Sequence, residues 1–368
     1  MPLFFPDTNV SILELKSILT EALSEYPVMH LRPWDVRDQD YNKFIVTRLM
    51  SGRYSLKPNI SSQGLLFHGN SSVAKSKYSS LTEITRGLDD HSEKQIQWIS
   101  ENVRRADFEL LIKSFPLYKM LSEGVNIDDE ILRVEIPYGL AHSYGFVSPF
   151  ISFSSDLDVA CFYAVTEFVN GSFKIKKDGM GVIDVIQLSS PFSFNSGLST
   201  LGKQLFVRPG INKEFLCLLE NDCDLYELPH VDGFVFNQNE SQSQQIFDQF
   251  HGGEDLMPQT DFLAKKLKTF RPNVVSQKAV KKNVDSNNHL GATQKSVTNA
   301  LGANNIHVDR EFNPIFTRQE LKPVYSNIKA FWDSFCSDLV FGPEWSDEWV
   351  EHFRCLYNDP NYQKYFKL

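Results

Sequence analysis

Cysteine is scarce in this chain. Its 368 residues include five, Cys161, Cys217, Cys223, Cys336 and Cys355, odd in number and with no Cys-x-x-Cys pair. That excludes a disulfide framework and a cysteine zinc site, and it points to reduced thiols in a cytosolic setting. No apolar run approaches membrane-spanning length, so no membrane association is expected. The opening "MPLFFPDTNV" has no basic region and no long apolar core, so no secretory signal is expected either. Cytoplasmic synthesis is the expectation; export by a signal-independent route would leave the same sequence. Basic residues are outnumbered, 37 against 46 acidic, for a net charge of −9. That excludes a surface devoted wholly to nucleic acid but leaves a local basic patch open.

Several familiar chemistries are missing too. No Gly-rich phosphate loop precedes a helix, no His-Glu-x-x-His occurs, and there is no Gly-x-Ser-x-Gly elbow. The acids of "NDCDLYE" (221–227) lack a nearby second ligand group and read as an exposed turn. His30, His91, His251, His289, His307 and His352 fall in loops or on polar helix faces, and none is assigned a role.

What is present supports a sizeable core: 42% of the residues are apolar and 29 are phenylalanine. The length is generous for one domain and comfortable for two. "DTNVSILELKSILTEALSEY" predicts a helix over 8–25, capped by Thr8 or Asn9, with Ile12, Leu15, Ile18, Leu19 and Leu23 on one face. "GLLFHGN", "GMGVIDVIQL", "KEFLCLLE" and "VDGFVFNQ" predict strands. "DDHSEKQIQWISENVRRADFELLIKSF" and "SQSQQIFDQFHG" predict helices. Residues 1–270 thus form an expected α+β domain with helices first and strands later. Residues 271–310 are polar and read as a linker or loosely packed segment. The run Lys265, Lys266, Lys268, Arg271, Lys278, Lys281 and Lys282 contains no acid; it is a solvated basic stretch or a phosphate-contacting arm. In 311–368 a helical segment presents Val324, Ile328, Phe331, Trp332, Phe335 and Leu339, and Ser346 caps a further helix bearing Trp349, Val350, Phe353 and Leu356.

Three short elements are odd for structural strands: Phe67-His68-Gly69 at a strand end, Ser152-Phe153-Ser154 inside a strand, and Lys213-Glu214-Phe215 opening one. Each has a bland reading. A strand-end histidine is usually structural, paired serines satisfy neighbouring backbone, and a leading glutamate is an edge charge.

Residues 60–270 resemble the FRG domain, named for a Phe-Arg-Gly strand end. The specific match is "LAHSYGFVSPFISFSSDLDVACFYA" (140–164), with its Ala-x-x-Tyr-Gly turn, its Ser/Asp step and its Ala-x-Phe/Tyr-x-Ala helix. "RPGINKEFLCLL" sits where the family has an Arg-containing segment, and "EDLMPQTDFLAKKLK" is similar to its closing Pro-anchored helix. Two departures, His68 in place of the arginine and Ile151-Ser152-Phe153-Ser154 in place of Leu-Asp-Trp-Thr, move toward the ADP-ribosyltransferases. That fold has a His-Gly strand end, a Ser-rich strand leading into a helix, and a Glu opening a later strand.

The resemblance implies a split β-sheet core of ADP-ribosyltransferase type with helical insertions, followed by the C-terminal helical segment, and a reaction that uses NAD and no metal. It implies that His68, with Gly69, meets the adenine-side ribose. It implies that Ser152 and Ser154 shape the nicotinamide-ribose pocket and brace Glu214. Tyr163 or Tyr144 would stack on nicotinamide, and Glu214 would hold the ribose 2′-hydroxyl as the catalytic acid; Glu220, at the strand's far end, is the other candidate. Transfer to protein often goes with an acid two residues before the glutamate. Asn212 stands there, which leaves nucleic acid or protein open as the acceptor, with Asn212, Lys265, Lys266 and Lys268 as its contacts. A toxin or defence effector with a regulatory partner or antitoxin is the natural setting. Two alternatives use the same pocket: an inactive nucleotide- or partner-binding module, and an NAD glycohydrolase.

Overall fold

The computed structural model describes residues 10–25, 44–48, 53–58, 65–88, 90–127, 130–134, 139–187, 198–201, 204–219, 222–228 and 231–367. These contain fourteen α-helices and five sheets, an α+β chain. Among the described residues no helix is long and apolar enough to cross a membrane. The chain divides into two compact units, the first from 1–42, 58–82 and 149–261, the second from 43–57, 83–148 and 262–368.

The first unit is built on a six-stranded sheet. Its strands are β1 (Leu65–Asn70), β2 (Phe150–Ser154), β3 (Met180–Gln187), β4 (Leu198–Thr200), β5 (Glu214–Leu218) and β6 (Val231–Asn237). Their order is β4-β5-β2-β1-β3-β6, and every neighbouring pair is antiparallel. β1 pairs with β3 along its whole length, and β2 likewise with β5. Between β1 and β2 the ladder holds at one position, Phe67 opposite Ser154. The sheet therefore consists of two three-stranded halves that open away from that pair.

Strand alternation sorts the side chains. Phe67, Ile183, Val185 and Phe236 pack with Ile12, Leu15 and Leu19 of the helix Ile12–Glu25 and with the apolar helix Leu157–Val165. Leu66, Ile151, Phe153, Phe215, Cys217 and Ile186 form the core on the opposite face. The helix Leu157–Val165 is buried on nearly all sides, as its uniformly apolar sequence requires, and Asp156 caps it by accepting from Asp158 N–H at 2.9 Å. Ser11 opens the first helix, its N–H and hydroxyl each 2.8 Å from Glu14 Oε2; Thr8 and Asn9 lie outside the described residues. Ile18 is 54% exposed and not part of the buried face. Ile12, Leu15 and Leu19 are buried, and Leu23 packs partly buried against the same core.

The second unit centres on the helix His91–Lys113, capped by Asp90 as its sequence predicts. Residues 271–310 are not a linker. They form the helices Gln277–Asn287 and Gln294–Ala303 and a short parallel strand pair. Val275, Ala279, Val280, Val297, Leu301 and Ile306 pack on Val103 and Ala106. Their apolar stripe is made mostly of small residues on a polar background, so mean composition conceals it. Nor does residue 270 bound a domain, because the insert 83–148 and the C-terminal segment belong to one unit. In that segment Trp332 is fully buried, Trp345 and Trp349 lie 4.1 Å apart between ring centroids, and Ser346 accepts from Trp349 N–H at 3.1 Å.

Asp107 anchors the helix Gln277–Asn287 from below. It accepts the N–H of Ser276 at 3.0 Å and its hydroxyl at 2.5 Å, while Ser276 caps the helix. Burial outweighs these bonds and pushes the Asp107 carboxyl up from 3.8 to about 6. With the folded value above the unfolded one, its stabilising contribution is full below about pH 4 and is lost as the pH rises through about 6. The displacement corresponds to about 3 kcal/mol. Denaturation at pH 5 and pH 7.5 should show the unit more stable at the lower pH, and Asp107→Asn should flatten that difference. An unchanged pH slope in the variant would contradict this assignment.

Candidate functional site

At the opening between the two half-sheets, polar side chains replace apolar ones. Ser154 stands opposite Glu214, and Ser152 opposite Leu216. These residues share the sheet face that carries Phe67 in one direction and the Phe150, Leu201 and Leu216 cluster in the other. Ser152, Ser154 and Glu214 form a polar break between two apolar patches, while Ile151 and Phe153 supply the packing behind them.

Glu214 is 5% exposed, and the hydroxyl of Ser152 donates to its Oε1. The carbonyl of Ser152 lies 2.6 Å from His68 Nδ1. A carbonyl only accepts, so Nδ1 carries the proton there. His68 sits on the Phe153 side of the sheet, with ring centroids 5.6 Å apart, and reaches across the opening where ladder pairing has stopped. His68, Ser152 and Glu214 thus form one hydrogen-bonded chain across β1, β2 and β5, though the imidazole and the carboxylate leave the sheet from opposite faces.

The turn that delivers Glu214 is fastened to the end of β2. Ser154 Oγ donates to the Asn212 carbonyl at 2.7 Å and accepts Asp156 N–H at 2.9 Å. Ser155 N–H donates to the Lys213 carbonyl at 3.2 Å, and Lys213 Nζ pairs with Asp156 at 2.9 Å. Lys213 itself has φ of 46°, a left-handed conformation that a non-glycine residue holds only when its surroundings enforce it. Ser154 therefore fixes the approach to Glu214, and its hydroxyl is committed to that task.

Tyr163 joins this group. Its hydroxyl is 3.4 Å from Asn212 Oδ1, and burial together with the Glu214 carboxylate pushes its phenol above the usual range. Arg208 is near enough to oppose that shift and is paired with Asp261 at 3.2 Å. Arg208 was visible only as part of the segment before Glu214; its proximity to Tyr163 depends on the turn.

Several of the other assigned residues belong to the second unit. Tyr144 is in the second unit, its ring 6.0 Å from Phe108. So are Lys265, Lys266 and Lys268; Lys266 Nζ binds Glu320 at 2.8 and 2.9 Å, while Lys265 and Lys268 are exposed. Glu220 is outside the described residues. Gly69 is a packing residue: a Cβ there would meet the Ala160 carbonyl oxygen at 1.8 Å, so only glycine lets β1 lie against the helix Leu157–Val165.

A second polar group went unread in the sequence. Asp184 is fully buried directly opposite His68, and it holds Lys77 Nζ at 2.6 Å and Tyr226 Oη at 3.1 Å. Asp224, expected in an exposed turn, is buried and accepts the N–H groups of Lys77 and Tyr226 at 2.9 and 3.1 Å. Among the described residues no group of three His, Cys, Asp or Glu side chains converges as a metal site.

No family model, curated protein or solved structure matches this chain. The candidate site stands on its own residues. Gly69→Ala should lower unfolding stability by about 3 kcal/mol, the upper end of overpacking costs, as read by chemical denaturation. A loss under about 0.5 kcal/mol, the range of neutral surface changes, would contradict the close contact.

Proposed function

We propose that this chain is an NAD-dependent ADP-ribosyltransferase that modifies a macromolecule, with the FRG-like span as its catalytic part. The observation that carries the reading is the hydrogen-bonded chain from His68 through Ser152 to the buried Glu214, at the opening of a sheet that splits into two halves. A split sheet with these three residue types in this order is the arrangement the FRG and ADP-ribosyltransferase resemblance calls for.

The residues present suit NAD. A buried carboxylate with a hydroxyl donor beside it matches a ribose diol, and the apolar patches flanking it suit the rings. NAD supplies the ADP-ribosyl group, and the bond that breaks joins its ribose C1′ to nicotinamide. Glu214 accepts the 2′-hydroxyl of that ribose and places negative charge beside a sugar that develops positive charge. Ser152 holds the carboxylate in one rotamer. His68, on the opposite face with Nδ1 committed to the Ser152 carbonyl, acts through that bond to position Ser152 beside the carboxylate. Tyr163 offers a ring to nicotinamide. Asp261 offsets the charge of Arg208, which reduces repulsion of the cationic nicotinamide. The acceptor nucleophile bonds to C1′ and gives up its proton, while the electron pair of the broken bond leaves with nicotinamide.

Incubation with adenylate-labelled NAD and a mixture of cellular protein and nucleic acid tests this. Label should appear on a macromolecule with release of nicotinamide, and Glu214→Gln should slow both by about a hundredfold or more. Nicotinamide release without macromolecular label would favour the glycohydrolase. Equal NAD consumption by wild type and variant, or none by either, would overturn the assignment.

A further inference from the structure

The second unit contains a cavity of about 220 Å³ whose wall includes Glu101 and Arg104 of the helix His91–Lys113, Tyr144 and Phe146 just after the short helix Leu140–Ser143, and Phe270 and Arg271. Ligand pockets for drug-sized molecules run from roughly 300 to 1,000 Å³, so this one has room for a single ring system and not for a dinucleotide.

Its wall holds a buried donor that no described residue meets. Glu101 is 7% exposed, and its Oε1 accepts from Arg104 Nη1 at 3.3 Å and Gln97 Nε2 at 3.4 Å. No described residue bonds its Oε2. Arg104 Nη2 donates to the Pro272 carbonyl, but its Nε is buried with no partner among the described residues. Native interiors rarely leave such a donor unmet. Burial holds the Glu101 carboxyl above its ordinary range, opposed by the charges of Arg104 and Arg105.

The remaining lining mixes aromatic side chains with Asp107, Val147, Leu267 and Val274. Phe146 lies 5.0 Å from Phe108 between ring centroids, and Phe270 stands edge-on to Phe312 at 5.3 Å. Arg271 is exposed, as are Lys265 and Lys268 on the same segment, and none of the three forms an ion pair with a described residue.

We propose that this cavity receives one unstacked base of a single-stranded nucleic acid, with its donor–acceptor edge on Glu101 and Arg104, its ring between the aromatic side chains, and the flanking phosphates on Arg271, Lys268 and Lys265. Every nucleobase presents an N–H beside an acceptor, so the site tolerates sequence, and aromatic stacking with basic flanks is how unpaired strands are held. Double helices are excluded, because their bases are stacked and paired. The inference deepens the acceptor half of the proposed activity. It is read by binding alone, so its failure would leave the NAD chemistry standing, and the reverse holds too.

The test is fluorescence anisotropy of the full chain with a labelled mixed-sequence 12-mer, as RNA and as DNA. The comparisons are its duplex and a strand of the same length made of abasic sites. The single strand should bind at least about tenfold more tightly than either. Lys268→Ala, which removes an exposed side chain that does not line the cavity, should reduce the slope of log affinity against log salt by about one. A preference for RNA or for DNA names the polymer, and either supports the proposal. Equal affinity for the abasic strand, or no binding of any single strand at low salt, overturns it.

Discussion

A carboxylate buried in a sheet needs donors, and around Glu214 that need governs the surrounding structure. Ser152 supplies one with its hydroxyl, and its carbonyl takes the imidazole of His68. One residue on a central strand therefore couples the strands on either side. Valine or leucine at 152 would pack more densely but would leave the carboxylate without that donor. Ser154 does a different job two residues on, tying the Asn212 turn to the start of the next helix. The two serines share a sheet face and a polar environment, yet one serves the carboxylate and the other serves the loop that carries it.

The opening of the sheet is the second constraint. Because β1 and β2 pair at Phe67 and Ser154 alone, the backbone groups beyond that pair need other partners. The His68 ring answers for the carbonyl of Ser152. The buried Asp184, Lys77 and Tyr226 group lies beneath His68 and steadies β3, the strand that carries its cross-strand neighbour. Gly69 lets the helix Leu157–Val165 close on β1. Rigid elements thus support each candidate side chain, as preorganised charge requires.

The parts of this arrangement that depend on local pattern were legible in the sequence. The β-branched run at 180–187, the apolar strand after Glu214, and the cap at Ser346 all rest on neighbours within a few residues. So did the residue types of the site. What escaped depends on distant pairing. The strand Phe44–Arg48 is completed by residues near 340, and nothing local announces it. Lys77, in the loop after β1, and Asp184, on β3, become partners only when the sheet assembles. The segment 271–310 was misread because small buried residues such as Ala279 and Val280 carry its core. Tyr144, which the resemblance sets beside nicotinamide, lines a cavity within the second unit.

The central claim is that Glu214, held by Ser152, receives the 2′-hydroxyl of the nicotinamide ribose. A binding cycle tests it most directly. Calorimetry would measure a hydrolysis-resistant NAD analogue and its 2′-deoxy counterpart against wild type and Glu214→Gln. The account predicts that removing the hydroxyl weakens binding to wild type but hardly to the variant. The coupling should be about 1.5–3 kcal/mol, the usual strength of a hydrogen bond to a charged group. Equal losses in both proteins would contradict it.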